Sequence, residues 1–487
     1  VGALGTTLVV FALLLANTFA THSERKFKWR YWMDFVAATR TYLDETWGDA
    51  SSQEGDPDRI EWAKKFVERR VEQAHIKKWQ FWKTIGVKPF LEVREELPFV
   101  PRSEDPGRAR LLALGFRVLG GISPFLLVYL GALSLVPVAA WMAWEFLDAG
   151  FPVLGTVFPL CAASLTYTAQ TLALPYSAVA FYLIALLGIL PLATYGVAGR
   201  GRIPAFFFVR VACAGLLLAG CNLCRSDVIG LAPSYCAAAL FATWRLFSDR
   251  RRRILFGVTA LALLLLPCAL LRPPEHHNVW LSVWEGLGDF DRTKGHQWSD
   301  RAATAALRSA GVTTSRMKIG LIVSTPEGEA FFKGSVLQDI ASDPVWYARI
   351  LCERLFAILT LRHFPSLDPV FPLGAVPTDP PDRILVRGLL LPVPGWLLVL
   401  PTWGLFAVAF VRDATPRLRA GLLVLFCMAL GGIPVPALLS TFAASEIQGF
   451  FLVYYAGLCL TLDLAFAAAL AAWRRRGGAA APLAGVQ

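Results

Sequence analysis

Ten stretches of this chain are each apolar over a length that suits a bilayer crossing, and that leaves few structures open to it. A spanning helix needs roughly 20 apolar residues. Such runs fall at about 3–20, 121–146, 151–168, 174–196, 204–222, 227–247, 254–271, 388–411, 419–438 and 449–472. Lipid offers a backbone no hydrogen-bond partner, so each run must satisfy its own N–H and C=O groups, as an α-helix does. The expected fold class is therefore an all-α polytopic membrane protein with about ten transmembrane helices. The third run is short, and counts of nine or eleven fit nearly as well. The first run could be read as a signal peptide, but no basic stretch precedes it, and Thr18 and Ala20 make an indifferent cleavage site. It is read as a span.

Composition agrees. Only 17% of the 487 residues are charged, against about a quarter in soluble domains. The net charge of +11 does not point to nucleic acid, because much of it sits in short clusters at the ends of apolar runs, such as Arg250 to Arg253 and Arg474 to Arg476. Clusters so placed anchor a topology against cytoplasmic anionic lipid. With the N-terminus inside, the short basic loops at Arg200 to Arg202, Arg250 to Arg253, Arg412 to Arg419 and Arg474 to Arg476 all fall inside. The reading is a multi-pass membrane protein with both termini cytoplasmic.

Two long polar insertions interrupt the spans, and the same parity puts both outside. The expected division is a first helix at 1–20, a first outer loop at 21–110 and a bundle of about six helices at 111–271. An outer cap with an interfacial helix occupies 272–387, then three helices 388–473 and a cytoplasmic tail 474–487. A loop longer than about 60 residues is largely exempt from charge-based orientation, so the basic first insertion does not conflict with its outer placement.

The first insertion opens with SERKFKWRYWMDFVAATRTYLDETW, Ser23 to Trp47. Basic and aromatic residues suit the headgroup level, which reads as an interfacial anchor. Asp34, Asp44 and Glu45 stand beside them. A carboxylate held at the membrane surface can act as a general base where a lipid phosphate departs. Gly48 to Asp58, rich in Gly, Ser and Asp, reads as a loop. From Arg59, the spacing of Ile60, Ala63, Val67, Val71 and Ala74 predicts an amphipathic helix with Lys64, Lys65, Arg69 and Arg70 on its surface, closed by Trp79, Phe81 and Trp82.

The second insertion holds the densest cluster of chemically capable side chains, HHNVWLSVWEGLGDFDRTKGHQWSD, His276 to Asp300. Aromatic faces interleaved with carboxylates and imidazoles suit a sugar, whose C–H faces stack while its hydroxyls bond. The candidates are His276, His277, Trp280, Trp284, Glu285, His296, Trp298 and Asp300. The alternative is a small cap whose tryptophans form its own core. The histidines lack i, i+4 spacing and no further cluster completes four ligands, so no metal site is assigned. Asp343-Pro344 predicts a helix start, with Pro in the first turn. Cys221 and Cys224 form a CxxC with no second pair and are read as packing residues. Arg225, Ser226 and Asp227 sit at the mouth between two spans, where a charge is a functional candidate.

The organisation resembles that of the C-type (GT-C) membrane glycosyltransferases: an inside N-terminus, a first outer loop with an acidic residue soon after the first span, interfacial helices, many spans and a later outer domain. The stretch HHNVWLSVWEGLG, with KGHQWSD and DIASDPVWYARILCER, is also similar to a block in bacterial multi-spanning proteins grouped with these transferases. The resemblance implies a sugar moved from a polyprenyl-phosphate donor to an envelope lipid, glycan or protein acceptor at the outer face. It implies Asp34 as the loop acid, with Asp44 or Glu45 next, and Arg225 and Arg30 as lipid-phosphate-binding cations. No cofactor is assigned beyond the polyprenyl-phosphate sugar as donor substrate, and a divalent metal is compatible with the superfamily. The expected partners are membrane lipid, the lipid-linked donor and the acceptor, with no nucleic acid. Two other functions fit parts of the pattern. A flippase or transporter for a lipid-linked glycan would use charges in mid-span, of which Arg210 and Asp463 are the notable ones. A polymerase or ligase of the O-antigen type would lean on Arg and His in its outer loop.

Overall fold

A computed structural model describes residues 5–13, 28–44, 57–97, 106–160, 206–224, 226–246, 249–271, 279–288, 291–297, 299–312, 326–360, 400–405 and 451–478, with a few single positions between. Among these residues the chain is helical, and its only β-type pairing is an isolated bridge between Ile85 and Ile122. Among the described residues three helices are long and apolar enough to cross a membrane: α4 (Leu126–Ala149), α7 (Arg250–Leu271) and α12 (Phe451–Gly478). The apolar part of α5 (Phe206–Cys224) is shorter. The sixth expected span is a 3-10 turn at Ser226–Leu231 leading into α6 (Ala232–Leu246). The expected spans at 174–196, 388–411 and 419–438 lie largely or wholly outside the described residues.

Short polar contacts order these helices. Glu145 near the end of α4 pairs with Arg210 near the start of α5 at 2.7 Å, and Trp141 Nε1 donates to the same carboxylate. After α4, Gly150 takes the left-handed conformation (φ 85°) that ends a helix, and its N–H returns to Leu147 O. The next helical turn begins at once, and both carboxylate oxygens of Asp463 on α12 accept its first free N–H groups, from Val153 at 3.0 Å and Leu154 at 2.9 Å. An anion at a helix start satisfies groups that have no intrahelical partner. At the far end of α5, Asn222 Nδ2 reaches Cys268 Sγ at 3.3 Å, so α5 and α7 run parallel. The Tyr235 hydroxyl of α6 lies between the carbonyls of Val211 and Ala260, and Gly215 beside it leaves no room for a Cβ.

These contacts place the end of α4 and the starts of α5 and α7 at one end of the bundle. The four arginines that open α7 oppose its helix dipole, and a role as membrane anchors accounts for them. Above them, Ile254, Leu255, Val258, Leu261, Leu265, Leu266 and Leu270 are exposed, as a lipid-facing helix requires. Cys221 and Cys224 are buried in the bundle core, in keeping with packing.

The first insertion folds onto the other end. α1 (Lys28–Asp44) and α2 (Pro57–Gln73) pack with α3 (Pro106–Leu119) and the first turns of α4 around Phe35, Val67, Phe90, Phe116 and Ile122. The α1 segment differs from its expected interfacial role. All six residues from Asp34 to Thr39 are buried, so this part of the helix is enclosed by protein rather than laid on a surface. The reason is tertiary: α3 and the span entrance cover the face that headgroups would have met.

Among the described residues the cap is formed by α8 (Val279–Gly286), α9 (Asp300–Ser309), α10 (Pro326–Ser342) and α11 (Pro344–Thr360). Their shared core is Leu281, Trp284, Leu287, Leu307, Phe332, Trp346 and Ile350. Pro344 opens α11 as expected, with Asp343 Oδ1 capping it by accepting Trp346 N at 2.9 Å.

Candidate functional site

Asp34 sits in the second turn of α1 and is 2% exposed. Its Oδ2 lies 3.3 Å from a guanidinium nitrogen of Arg108, itself almost fully buried, in the first turn of α3. Edge-to-face contacts of Phe116 with Phe35 and Tyr42, each with centroids 5.9 Å apart, fix the two helices side by side. Arg108 is held from behind as well. A Cβ on Gly107 would collide with the carbonyl of Leu223 and the N of Cys224, so only glycine lets α3 abut the end of α5. The last carbonyls of α5 carry the negative end of its dipole, which favours a cation beside them.

The site therefore joins three elements: α1 brings the carboxylate, α3 the guanidinium and the end of α5 the support. It lies at the end of the bundle opposite Arg250 to Arg253. Sequence reasoning did not single out Arg108. The signal was present, since Arg108 shares the stripe of Leu112 and Phe116 at i, i+4 and i+8, the buried face of α3. A lone arginine in an apolar stripe calls for a buried anionic partner.

The other expected site residues are not gathered there. Asp44 ends α1, and ten residues of helix put its backbone about 15 Å from that of Asp34, on another face. The Asp44 side chain, the Arg30 side chain, Glu45 and Arg225 lie outside the described residues. Cys224, which precedes Arg225, touches Gly107, which precedes Arg108.

In the cap, Trp280 is half-buried, and Lys333 Nζ lies 5.9 Å from its ring centroid. Trp284, Glu285 and His296, three of the candidate sugar contacts, are buried. The physical reason is that α8 turns this side onto α10, and the chain after it folds back so tightly that a Cβ on Gly288 would meet the backbone of His296 and Gln297. His296 is 1% exposed, with Nε2 2.9 Å from Asp339 Oδ2 and its ring between Trp284 and Trp346. Burial pulls its pKa below the usual imidazole value, against the opposing pull of Asp339. Lys294 Nζ bonds Asp339 O at 3.0 Å and Ser342 Oγ at 3.2 Å and covers the Trp346 ring at 4.5 Å. Asp291 pairs with Arg349, and hydrogen bonds from Thr293 lower its pKa first of all. This strap is architecture. His276, His277, Trp298 and the Asp300 side chain lie outside the described residues. Among the described residues no group of His, Cys, Asp and Glu is placed to hold a metal.

No family model matches the chain, and no curated protein is similar to it in sequence. Two solved structures are loosely similar in shape. One is the archaeal oligosaccharyltransferase AglB from Archaeoglobus fulgidus in complex with an inhibitory peptide and a dolichol-phosphate, at 12% identity and TM-score 0.45, covering 100% of this chain and 52% of that one. The other is the Archaeoglobus fulgidus oligosaccharyltransferase in the apo form, at 12% identity and TM-score 0.38, covering 95% of this chain and 54% of that one. The chain spans about half the length of either. A likeness this loose fixes neither family nor activity.

Proposed function

We propose that this protein is a membrane glycosyltransferase that moves a sugar from a polyprenyl-phosphate donor to a hydroxyl of an envelope lipid, glycan or protein. The observation that carries the reading is the buried Asp34–Arg108 pair, at the end of the bundle opposite the arginine anchors. By the positive-inside rule that end is outer. In the proposed reaction the acceptor hydroxyl attacks the anomeric carbon as its proton passes to the Asp34 carboxylate. The bond from that carbon to the phosphate oxygen breaks, and the polyprenyl phosphate leaves with the electron pair and inverts the centre. In this proposal Arg108 would exchange Asp34 for the departing phosphate and so free the carboxylate as the charge develops. Arg225 and Arg30 would assist it, and His276, His277, Trp280, Trp298 and Asp300 would face the acceptor. The transporter reading loses its main support, because Arg210 and Asp463 are both occupied in local contacts that hold helix ends.

Burial complicates the obvious test. Removing one partner of a buried ion pair costs about 3–5 kcal/mol, so Asp34→Asn alone would lower stability as well as activity. The informative variant is Asp34→Leu with Arg108→Met, which replaces the pair by apolar groups. Thermal stability in detergent should then recover toward that of the unmodified protein. The envelope product that disappears when the gene is deleted, identified by mass spectrometry, should stay absent. Recovery of both stability and product would reduce the pair to a structural tie.

A further inference from the structure

Between Glu72 and Glu92 the chain carries His75, Lys77, Lys78, Lys83 and Lys88 and no carboxylate. The middle of this stretch is not part of α2. Lys77 to Lys83 form a pair of tight turns, with Gln80 N donating to Lys77 O at 2.9 Å and Lys83 N to Gln80 O at 3.0 Å. The Gln80 side chain closes the first by accepting Lys77 N at 2.9 Å.

One side of this knob is fastened to the bundle. The Phe81 ring lies 4.9 Å from that of Tyr129, Ser123 Oγ donates to Phe81 O at 2.6 Å, and Ile85 and Ile122 exchange backbone hydrogen bonds. Tyr129 is in the first turn of α4, a helix long and apolar enough to cross a membrane, so the knob is held level with the end of that helix, where a span would enter the bilayer. The other side is open. Trp79 and Trp82 are 47% and 48% exposed, with ring centroids 5.3 Å apart, and Lys77, Lys78 and Lys83 surround them, exposed. Among the described residues none of these three lysines has a carboxylate partner.

An indole left half in water wastes its apolar face, whereas at the headgroup level the ring meets acyl chains and its N–H meets carbonyl or phosphate. Ammonium groups at the same depth meet phosphates. We propose that Lys77 to Lys83 is a docking surface for anionic phospholipid, with Trp79 and Trp82 inserted beneath the headgroups and Lys77, Lys78 and Lys83 paired with their phosphates. The observations that carry it are the fixed depth, the paired exposed indoles and the unopposed positive charge. It depends on neither Asp34 nor a transfer reaction.

The test uses the full chain with photo-reactive benzoylphenylalanine in place of Trp79, in nanodiscs of phosphatidylcholine with a minority of phosphatidylglycerol. A lysine near an anionic surface favours the charged lipid by about fivefold. Lipid captured at position 79 should therefore be enriched in phosphatidylglycerol about fivefold or more over its share of the bilayer. The same probe in place of Leu265, on the lipid-facing side of α7, should capture the two lipids in their bulk ratio. Lys77→Gln, Lys78→Gln and Lys83→Gln together should return position 79 to the bulk ratio, as should high salt. The three side chains are exposed, so the variant should elute and melt like the unmodified protein. Capture of protein instead of lipid at position 79 would overturn the proposal. So would a bulk ratio in the unmodified sequence, or an enrichment that survives the triple substitution.

Discussion

At the scale of single residues, the same chemical type plays opposite parts according to what encloses it. His296 stands among tryptophans and carboxylates, which made it a candidate sugar ligand, yet those neighbours enclose it. A buried neutral imidazole with a lowered pKa makes the cap sensitive to acid, and the sign comes from proton counts. Below the ordinary value of 6.5, the unfolded cap takes up a proton that the folded cap resists. Stability is therefore full above that value and declines as pH falls through it toward the lowered folded value. Hydrogen exchange of the α10 amides, corrected for the intrinsic rate, should show faster opening at pH 5 than at pH 7. His296→Phe should flatten the difference, because a phenyl ring fills the stack with Trp346 without titrating. An unchanged pH dependence in that variant would assign the effect elsewhere.

Among elements, helix ends carry much of the specificity, since the apolar faces of α4, α5 and α7 would tolerate several registers. Asp343 caps α11 from its own strand of sequence, and Asp343→Ala should cost about 1 kcal/mol, read as a lower thermal midpoint for the cap. Asp463 caps a turn more than 300 residues away. It ties α12 to the start of the segment after α4, so its loss should cost more than a local cap. Asp463→Ala leaves two N–H groups without their acceptor, each worth about 1 kcal/mol or more when buried. It should lower the melting temperature further than Asp343→Ala does, while Asp463→Asn should recover part of the loss. Equal effects of the two alanine variants would mean that the long-range tie adds nothing.

For the whole molecule, the contacts at the two ends of the bundle make topology testable. Glu145, Arg210, Asp463 and the arginines of α7 share one end, and the Asp34–Arg108 site lies at the other. Reporter fusions at Gly107 and Gly334 should read outside, and fusions at Arg251 and Gly477 inside. An inside reading at Gly107 would remove the proposed site from the outer face. Together with capture of anionic lipid at position 79, these fusions would locate the first insertion in both side and depth.

The sequence by itself determined that the chain is helical and membrane-bound, because apolar length and the demand for internal hydrogen bonds act locally. It likewise determined the start of α11, since Asp343-Pro344 is a local signal, and the amphipathic α2. It singled out Asp34, but as a carboxylate at a surface. That Asp34 is enclosed and paired with Arg108 was decided only by the tertiary structure, through α1 packing on α3 and α3 abutting the end of α5. The reversal of Trp284 and His296 from ligand candidates to cap core has the same origin. Burial, and which charge meets which, depend on contacts between segments dozens to hundreds of residues apart, and spacing along the chain does not encode those contacts.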